Sequence, residues 1–181
     1  MRYVILALLA SGCASLTSRE AHWVTDLSSP QVATSRTQSS HGKPGVTLEA
    51  TCGPGPNGQK ILLLSVSPAD PVPAGVEQLA KLRHAEMAVS FDDEGLLVVP
   101  AAALAADPPS LFVAEDAAFI LMKRAAASRL FAVAWTDRST GTIVSTGFDV
   151  SGSAKWLSPV VAACGADLGA GSYRAARPTQ L

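Results

Sequence analysis

Two aliphatic-rich runs, Val46 to Cys52 and Lys60 to Val66, flank the segment Gly53-Pro-Gly-Pro-Asn-Gly58. Proline supplies no backbone N–H, and glycine and asparagine tolerate left-handed backbone angles. The segment therefore has to turn, and the two runs have to return antiparallel to each other. This hairpin constrains the fold more than any other feature, because it commits the middle of the chain to a sheet. The same pattern recurs twice. Ala85 to Phe91 and Leu96 to Val99 flank Asp92-Asp93-Glu94-Gly95, whose closing glycine is placed to take a positive φ. Leu130 to Trp135 and Ile143 to Val150 flank Asp137-Arg-Ser-Thr-Gly141. Shorter strand signals stand at Trp23-Val24, before a Ser-Ser-Pro turn, and at Leu111 to Val113.

Between these hairpins lie two helix signals. Ala117 to Ser128 is rich in alanine around Phe119-Ile-Leu-Met122, with Asp116 as its expected N-cap and Lys123 and Arg124 on the wet side. A second, short helix ends at Gly165 and starts either after Ser153 or after Ser158, the latter with Pro159 at the tolerated first position. Gln38 to Gly45 reads as a loop, Val76 to Leu82 as a helical turn, and Ala101 to Pro109 as irregular chain. The predicted fold class is α+β. It is mainly antiparallel β, a sandwich-like sheet of hairpins, with one buried helix and a short C-terminal helix. A chain of 181 residues fits one such domain.

The N-terminus supplies an address. Met1-Arg2 is a minimal positive start, and Tyr3 to Ala10 is an apolar run too short to cross a bilayer as a stable helix. Ala10-Ser11-Gly12-Cys13 follows, small residues before a thiol that can accept a diacylglycerol, which makes Cys13 the lipidation site. An ordinary secretory signal cut at Gly12-Cys13-Ala14 is the alternative, and it also exports the chain. The expected organisation is a signal peptide over residues 1–12, a lipidated tether over 13–21, a single globular domain over 22–165 and a mobile tail over 166–181. Ala14 is not the aspartate that retains lipoproteins at an inner membrane, which favours an outer-membrane anchor facing the periplasm.

Lipidation of Cys13 leaves Cys52 and Cys164, an even pair in an oxidising compartment, and a disulfide between them is expected. Zinc is the rival, but His22, His41 and His84 are scattered singly and no CxxC pair is present, so no metal is assigned. With 14 Lys+Arg against 15 Asp+Glu there is no basic excess to neutralise phosphates, which argues against nucleic acid as a partner.

Other motifs carry little chemistry. Gly53 to Lys60 loosely follows a phosphate loop, but the lysine does not follow Gly58 directly and two prolines remove N–H groups that would face phosphate. Asp92-Asp93-Glu94 lacks the alternating ligands of a calcium loop. His84 and Glu86 share one strand face and form a conceivable acid/base pair, without a nucleophile motif beside them. Trp23, Trp135 and Trp156 could stack on sugars, but aromatics at element ends more often seal a core. No cofactor and no catalytic residue are assigned.

Several of these stretches also resemble a known family. Ser110-Leu-Phe-Val, the helix over Phe119 to Ala127, Leu130-Phe-Ala-Val, Phe148-Asp149-Val-Ser-Gly152 and the short helix ending in Ala163-Cys164-Gly165 are similar to the VasI/TagO-like family of type VI secretion-associated envelope proteins. Trp23 with its Ser-Ser-Pro turn and Leu48 to Cys52 resemble that family's opening. The resemblance implies a non-catalytic accessory protein of an envelope complex. Such a protein is expected to dock a protein partner through strand edges or through the loops around 38–45 and 101–109. The alternative is an envelope enzyme or inhibitor acting on cell-wall or sugar substrates, which requires a cleft gathering Trp135, His84 and Glu86.

Overall fold

The computed structural model describes residues 23–29, 31–55, 58–67, 82–104, 110–136 and 141–169. The signal peptide, Cys13 and its tether, His22 and residues 76–81 of the expected helical turn lie outside the described residues. The strands are β1 (Val24–Asp26), β2 (Ala33–Gln38), β3 (His41–Gly42), β4 (Thr47–Pro54), β5 (Lys60–Ser67), β6 (Leu82–Phe91), β7 (Leu97–Leu104), β8 (Leu111–Ala114), β9 (Leu130–Thr136) and β10 (Ile143–Asp149). Two helices join them, α1 (Glu115–Ala127) and α2 (Ala154–Ala163).

All three hairpins form as their turn residues dictate, pairing β4 with β5, β6 with β7 and β9 with β10, each antiparallel. The α+β class holds. The strands, however, make one sheet in the order β1-β2-β4-β5-β8-β7-β6-β9-β10-β3, curled into a half-barrel, in place of two stacked sheets. The curl follows from where β3 sits. It belongs to the connection between β2 and β4, near one end of the sheet, yet it pairs with Thr146 and Gly147 of β10 at the other end. The segment Ser39 to Gly45 is thus a strap that draws the two ends together.

Inside the curl, alternate residues form the core. Leu48, Ala50 and Cys52 of β4 sit opposite Val66, Leu64 and Leu62 of β5 on one face, all buried. Val89 and Phe91 of β6 face Val133 and Phe131 of β9 in the same way, and Phe131 stacks between Phe91 and Phe148 with ring centroids 4.9 and 6.3 Å away. Helix α1 closes over β5 with Ala118, Phe119, Leu121, Met122 and Ala125 buried. Helix α2 lies on β2 and β4 and touches α1, burying Leu157, Val160 and Val161.

Several local expectations change in the folded chain. Strand β7 runs on to Leu104, so residues 101–104 are ladder rather than irregular chain; small alanines let that stretch lie against β6 and β8. Strand β2 had no separate expectation, because its Thr, Ser, Arg and Gln side chains hide a half-buried alternation. The N-cap of α1 is Ala114, with no side-chain cap, and Glu115 takes φ 55° at the strand–helix corner, so Asp116 falls in the first turn. In the β6–β7 turn the left-handed residue is Asp92 (φ 47°) and not Gly95. Aspartate tolerates that region, and here its Oδ1 accepts from the Arg129 and Leu130 N–H groups at 2.9 and 2.8 Å, tying the turn to the start of β9.

Of the two possible starts for α2, the one after Ser153 is realised, and Pro159 is interior. Gly165 (φ 77°) ends the helix, with its N–H on the Ala162 carbonyl and the Ala166 N–H on the Val161 carbonyl. These are the two bonds of a Schellman motif. The chain then stays on the body, with Ala166 and Leu168 packed against the core beyond the expected boundary at residue 165.

The strap yields a clean comparison of two glycines. Gly42 (φ +71°) and Gly45 (φ +75°) carry the same backbone cost for any other residue, but a Cβ on Gly42 would sit 2.7 Å from the Ser145 carbonyl oxygen while one on Gly45 meets nothing. Gly45→Ala should therefore lose about 1 to 2 kcal/mol, the left-handed penalty alone. Gly42→Ala should lose a further ~1 to 3 kcal/mol for overpacking the strap against β10. Urea unfolding of both variants measures the difference, and equal losses would show that the strap does not hold the sheet closed.

Candidate functional site

The cysteines come together as expected. Cys52, facing inward from β4, is bonded to Cys164 at the C-terminal cap of α2, with 5.6 Å between their Cα atoms and both residues 1% exposed. Beside the bridge, the Lys60 ammonium donates to the Ala163 carbonyl at 2.9 Å. A cation there satisfies one orphan acceptor of the helix end and complements its negative dipole. A closed loop of 112 residues places this bridge at the long end of the chain-entropy scale, an upper bound of about 4 to 5 kcal/mol.

The residues weighed for chemistry do not gather. Trp135 points into the core from β9, 5% exposed. His84 and Glu86 lie on the opposite, convex face of β6, since they alternate with the inward-facing Met87 and Val89. The sheet therefore stands between the indole and that pair. Trp23 is likewise buried, and its indole N–H has no acceptor among the described residues. The Trp156 ring is covered by the Lys155 ammonium, 4.8 Å from its centroid. Glu94 is paired with Arg124, whose guanidinium also lies over the Phe91 ring at 5.1 Å. Among the described residues no group of three His, Cys, Asp or Glu side chains is arranged to hold a metal ion.

A serine–histidine contact not anticipated from the sequence occurs in the strap. The Ser40 hydroxyl lies 2.8 Å from His41 Nδ1 and 3.3 Å from the Gly147 carbonyl, and it accepts the Asp149 N–H at 2.8 Å. One hydroxyl hydrogen cannot serve two acceptors fully. The Asp149 carboxylate accepts from the Ser151 N–H, and among the described residues no third group orients the imidazole. The arrangement anchors the strap to β10, together with the Thr146 hydroxyl, which is within reach of the His41 and Lys43 carbonyls at 3.0 and 3.2 Å. The loop at 38–45, expected to be a free docking loop, thus uses its backbone to close the fold and leaves the side chains of His41, Lys43 and Pro44 exposed.

On the convex face Glu49 pairs across the ladder with Arg36 of β2 and Ser65 of β5. Burial pushes its pKa up, outweighing the hydrogen bond from the Thr51 hydroxyl and the charge of Arg36. The other notable surface is the turn after β6. Leu96, Leu97 and Val98 are consecutive and 47%, 40% and 58% exposed. The sequence shows them only as a run without alternation, which marks a strand but does not say that its first residues are exposed.

Compared with known protein families and with curated proteins, the chain has no match. The resemblance to the VasI/TagO-like family thus gains no family match. Among solved structures, invasion associated protein B from Bartonella henselae is similar, with 14% identity, 82% of this chain and 97% of that chain covered, and a TM-score of 0.49. No helix among the described residues is long and apolar enough to cross a membrane.

The Glu49 environment makes stability depend on pH with a defined sign. The folded chain holds the Glu49 proton more tightly than the unfolded chain does. This contribution is full below the ordinary glutamate range and is lost as pH rises through that range to the raised value. Glu49→Gln should abolish it: the variant gains on the wild type above the raised pKa, and the gap closes in acid. Urea midpoints measured from acid to neutral pH test this, and parallel profiles would refute it.

Proposed function

We propose that this protein is a non-catalytic, exported envelope lipoprotein, anchored through Cys13, that docks a protein partner with the apolar tip of its β6–β7 hairpin. The observation that carries the reading is the run Leu96-Leu97-Val98, three large apolar residues exposed in succession where β7 begins, Leu97 opposite Val89 on one face and Val98 opposite Ala88 on the other. Single exposed aliphatic residues are ordinary, whereas three in succession at the end of a hairpin favour contact with a surface that takes both faces of the hairpin. The turn Asp92-Asp93-Glu94 borders it, with Asp92 tied to β9 and Glu94 paired with Arg124, so the partner surface it fits is chiefly apolar. Export is supported by the N-terminal pattern and by a bridge of the kind that persists in oxidising compartments. An outer-membrane anchor facing the periplasm rests on Ala14. Association with a type VI secretion machine rests only on the resemblance of its sequence to the VasI/TagO-like family.

A photo-crosslinking residue placed at Val98, with Arg36 on the convex face as control, tests the reading in intact envelopes. A discrete adduct is expected from position 98 alone, lost in Leu97→Asp and reduced when Cys13→Ser removes the anchor. Equal labelling from both positions, or no adduct at good expression, would count against docking through this hairpin.

A further inference from the structure

Strand β7 is paired along its whole length on one side and along only part of it on the other. Toward β6 the ladder runs from Leu97 to Leu104. Toward β8 it holds only Ala102 and Ala103, opposite Phe112 and Leu111. Strand β8 stays with β5 as far as Ala114, opposite Leu63, and the chain then turns at Glu115 (φ 55°) into α1. Before Ala102, β7 therefore has an open edge among the described residues, along the line that β8 has left. The backbone there offers a defined set of groups. Pro100 has no N–H, and a proline fits within a strand where the missing donor would face the edge. Backbone groups turn the same way at every second residue, so the Val98 N–H and carbonyl and the Pro100 carbonyl face outward. Both residues are exposed, Val98 at 58%. Open edges are ordinarily guarded by charged side chains, and Leu96, Leu97 and Val98 carry none.

From this we propose, resting on the docking reading above, that the partner protein supplies an extended segment that adds to the open edge of β7, between Leu96 and Pro100, as a further strand. Its carbonyl accepts the Val98 N–H, and its own N–H groups donate to the Val98 and Pro100 carbonyls. A strand laid along the edge lies in the plane of the sheet and so meets both faces, Leu97 beside Val89 on one and Val98 beside Ala88 on the other. This is why apolar residues exposed on opposite faces can serve one partner: the main-chain bonds supply affinity and apolar side chains on both sides supply selectivity. Pro100 sets the end of the ladder, because it has no donor for a further carbonyl. A second copy of this chain is a poorer occupant. A two-fold pairing of identical edges brings two prolines into one short ladder and loses a bond at each.

The test uses the full-length chain at low expression in intact envelopes, with a photo-crosslinking residue at Leu96 and two substitutions of opposite sense. Val98→Pro removes the outward N–H while keeping an apolar side chain, and should cut the yield of adduct roughly five-fold, the worth of one hydrogen bond. Pro100→Ala supplies the missing N–H and should raise the yield by roughly the same factor. In the purified chain, deuterium exchange gives a measurement that needs no variant: the Val98 amide should exchange without protection, while the Val99 amide, turned toward β6, is protected. An adduct lost in Leu97→Asp but indifferent to both Val98→Pro and Pro100→Ala would leave apolar docking in place and overturn strand addition. Protection of the Val98 amide in the purified chain would show the edge already covered, and would overturn it equally. An adduct of twice the chain's mass would make a second copy the occupant, with the same consequence. No adduct from position 96 at good expression would remove the docking reading and strand addition with it.

Discussion

The strap from Ser39 to Gly45 is the contact on which the rest of the architecture depends. A sheet of ten strands has to bend round its core or leave a long edge open to other chains. Here the bend is held by a few hydrogen bonds made across more than a hundred residues of sequence. The Ser40 N–H bonds the Gly147 carbonyl at 2.8 Å and the Asp149 N–H bonds the Ser40 hydroxyl. Close approach is possible because Gly147 leaves room for His41, whose Cβ would lie 3.3 Å from any side chain added there. The strap thus covers part of the β10 edge while setting the curvature that makes room for two helices.

With the curvature set, the helices fill the concave side from different strands. Helix α1 grows directly out of β8, so its placement over β5 follows from the ladder that aligns β8 with β5. Helix α2 has no such guide. It comes from the last hairpin and must be brought back to β2 and β4, at the far end of the sheet order, where Cys52 waits. Covalent closure has its largest effect on such a contact, because the two partners are remote in sequence and the unfolded chain loses most freedom when they are joined.

How much of this could be read in the residues depends on the range of the interaction. The three hairpins were legible because each turn is decided within four or five residues by Gly, Pro, Asn and Asp. The pairing of Cys52 with Cys164 followed from counting, and the end of α2 from Gly165. What escaped reading is non-local. Ser40 and His41 look like loop residues until β10 is laid against them. Strand β2 looks polar because Ser35 and Thr37 are buried with their hydroxyls inside, Ser35 within 3.1 Å of the Thr25 hydroxyl. The left-handed residue of the β6–β7 turn moved from Gly95 to Asp92 because a carboxylate could also serve two N–H groups of β9, a partner that no local pattern reveals. The candidate site followed the same rule: His84, Glu86 and Trp135 are near one another in strand order, and only the alternation of faces separates them.

That separation bears on which kind of function the fold can host. The concave side, where a ligand cleft would have to form, is occupied by α1, α2 and the stacked rings of Phe91, Phe131 and Phe148. Of the polar groups that reach it, Thr146 bonds the strap and Ser35 bonds the Thr25 hydroxyl of β1. Among the described residues His84 and Glu86 lie exposed on the convex face, and Glu49 lies half-buried there beside Arg36 and Thr51. Bond-making needs reacting groups held together out of water, whereas recognition by area and shape needs an exposed surface held in place. In the docking reading proposed above, Leu97 and Val98 would lose little backbone freedom on contact, because pairing with Val89 and Ala88 of β6 already holds them.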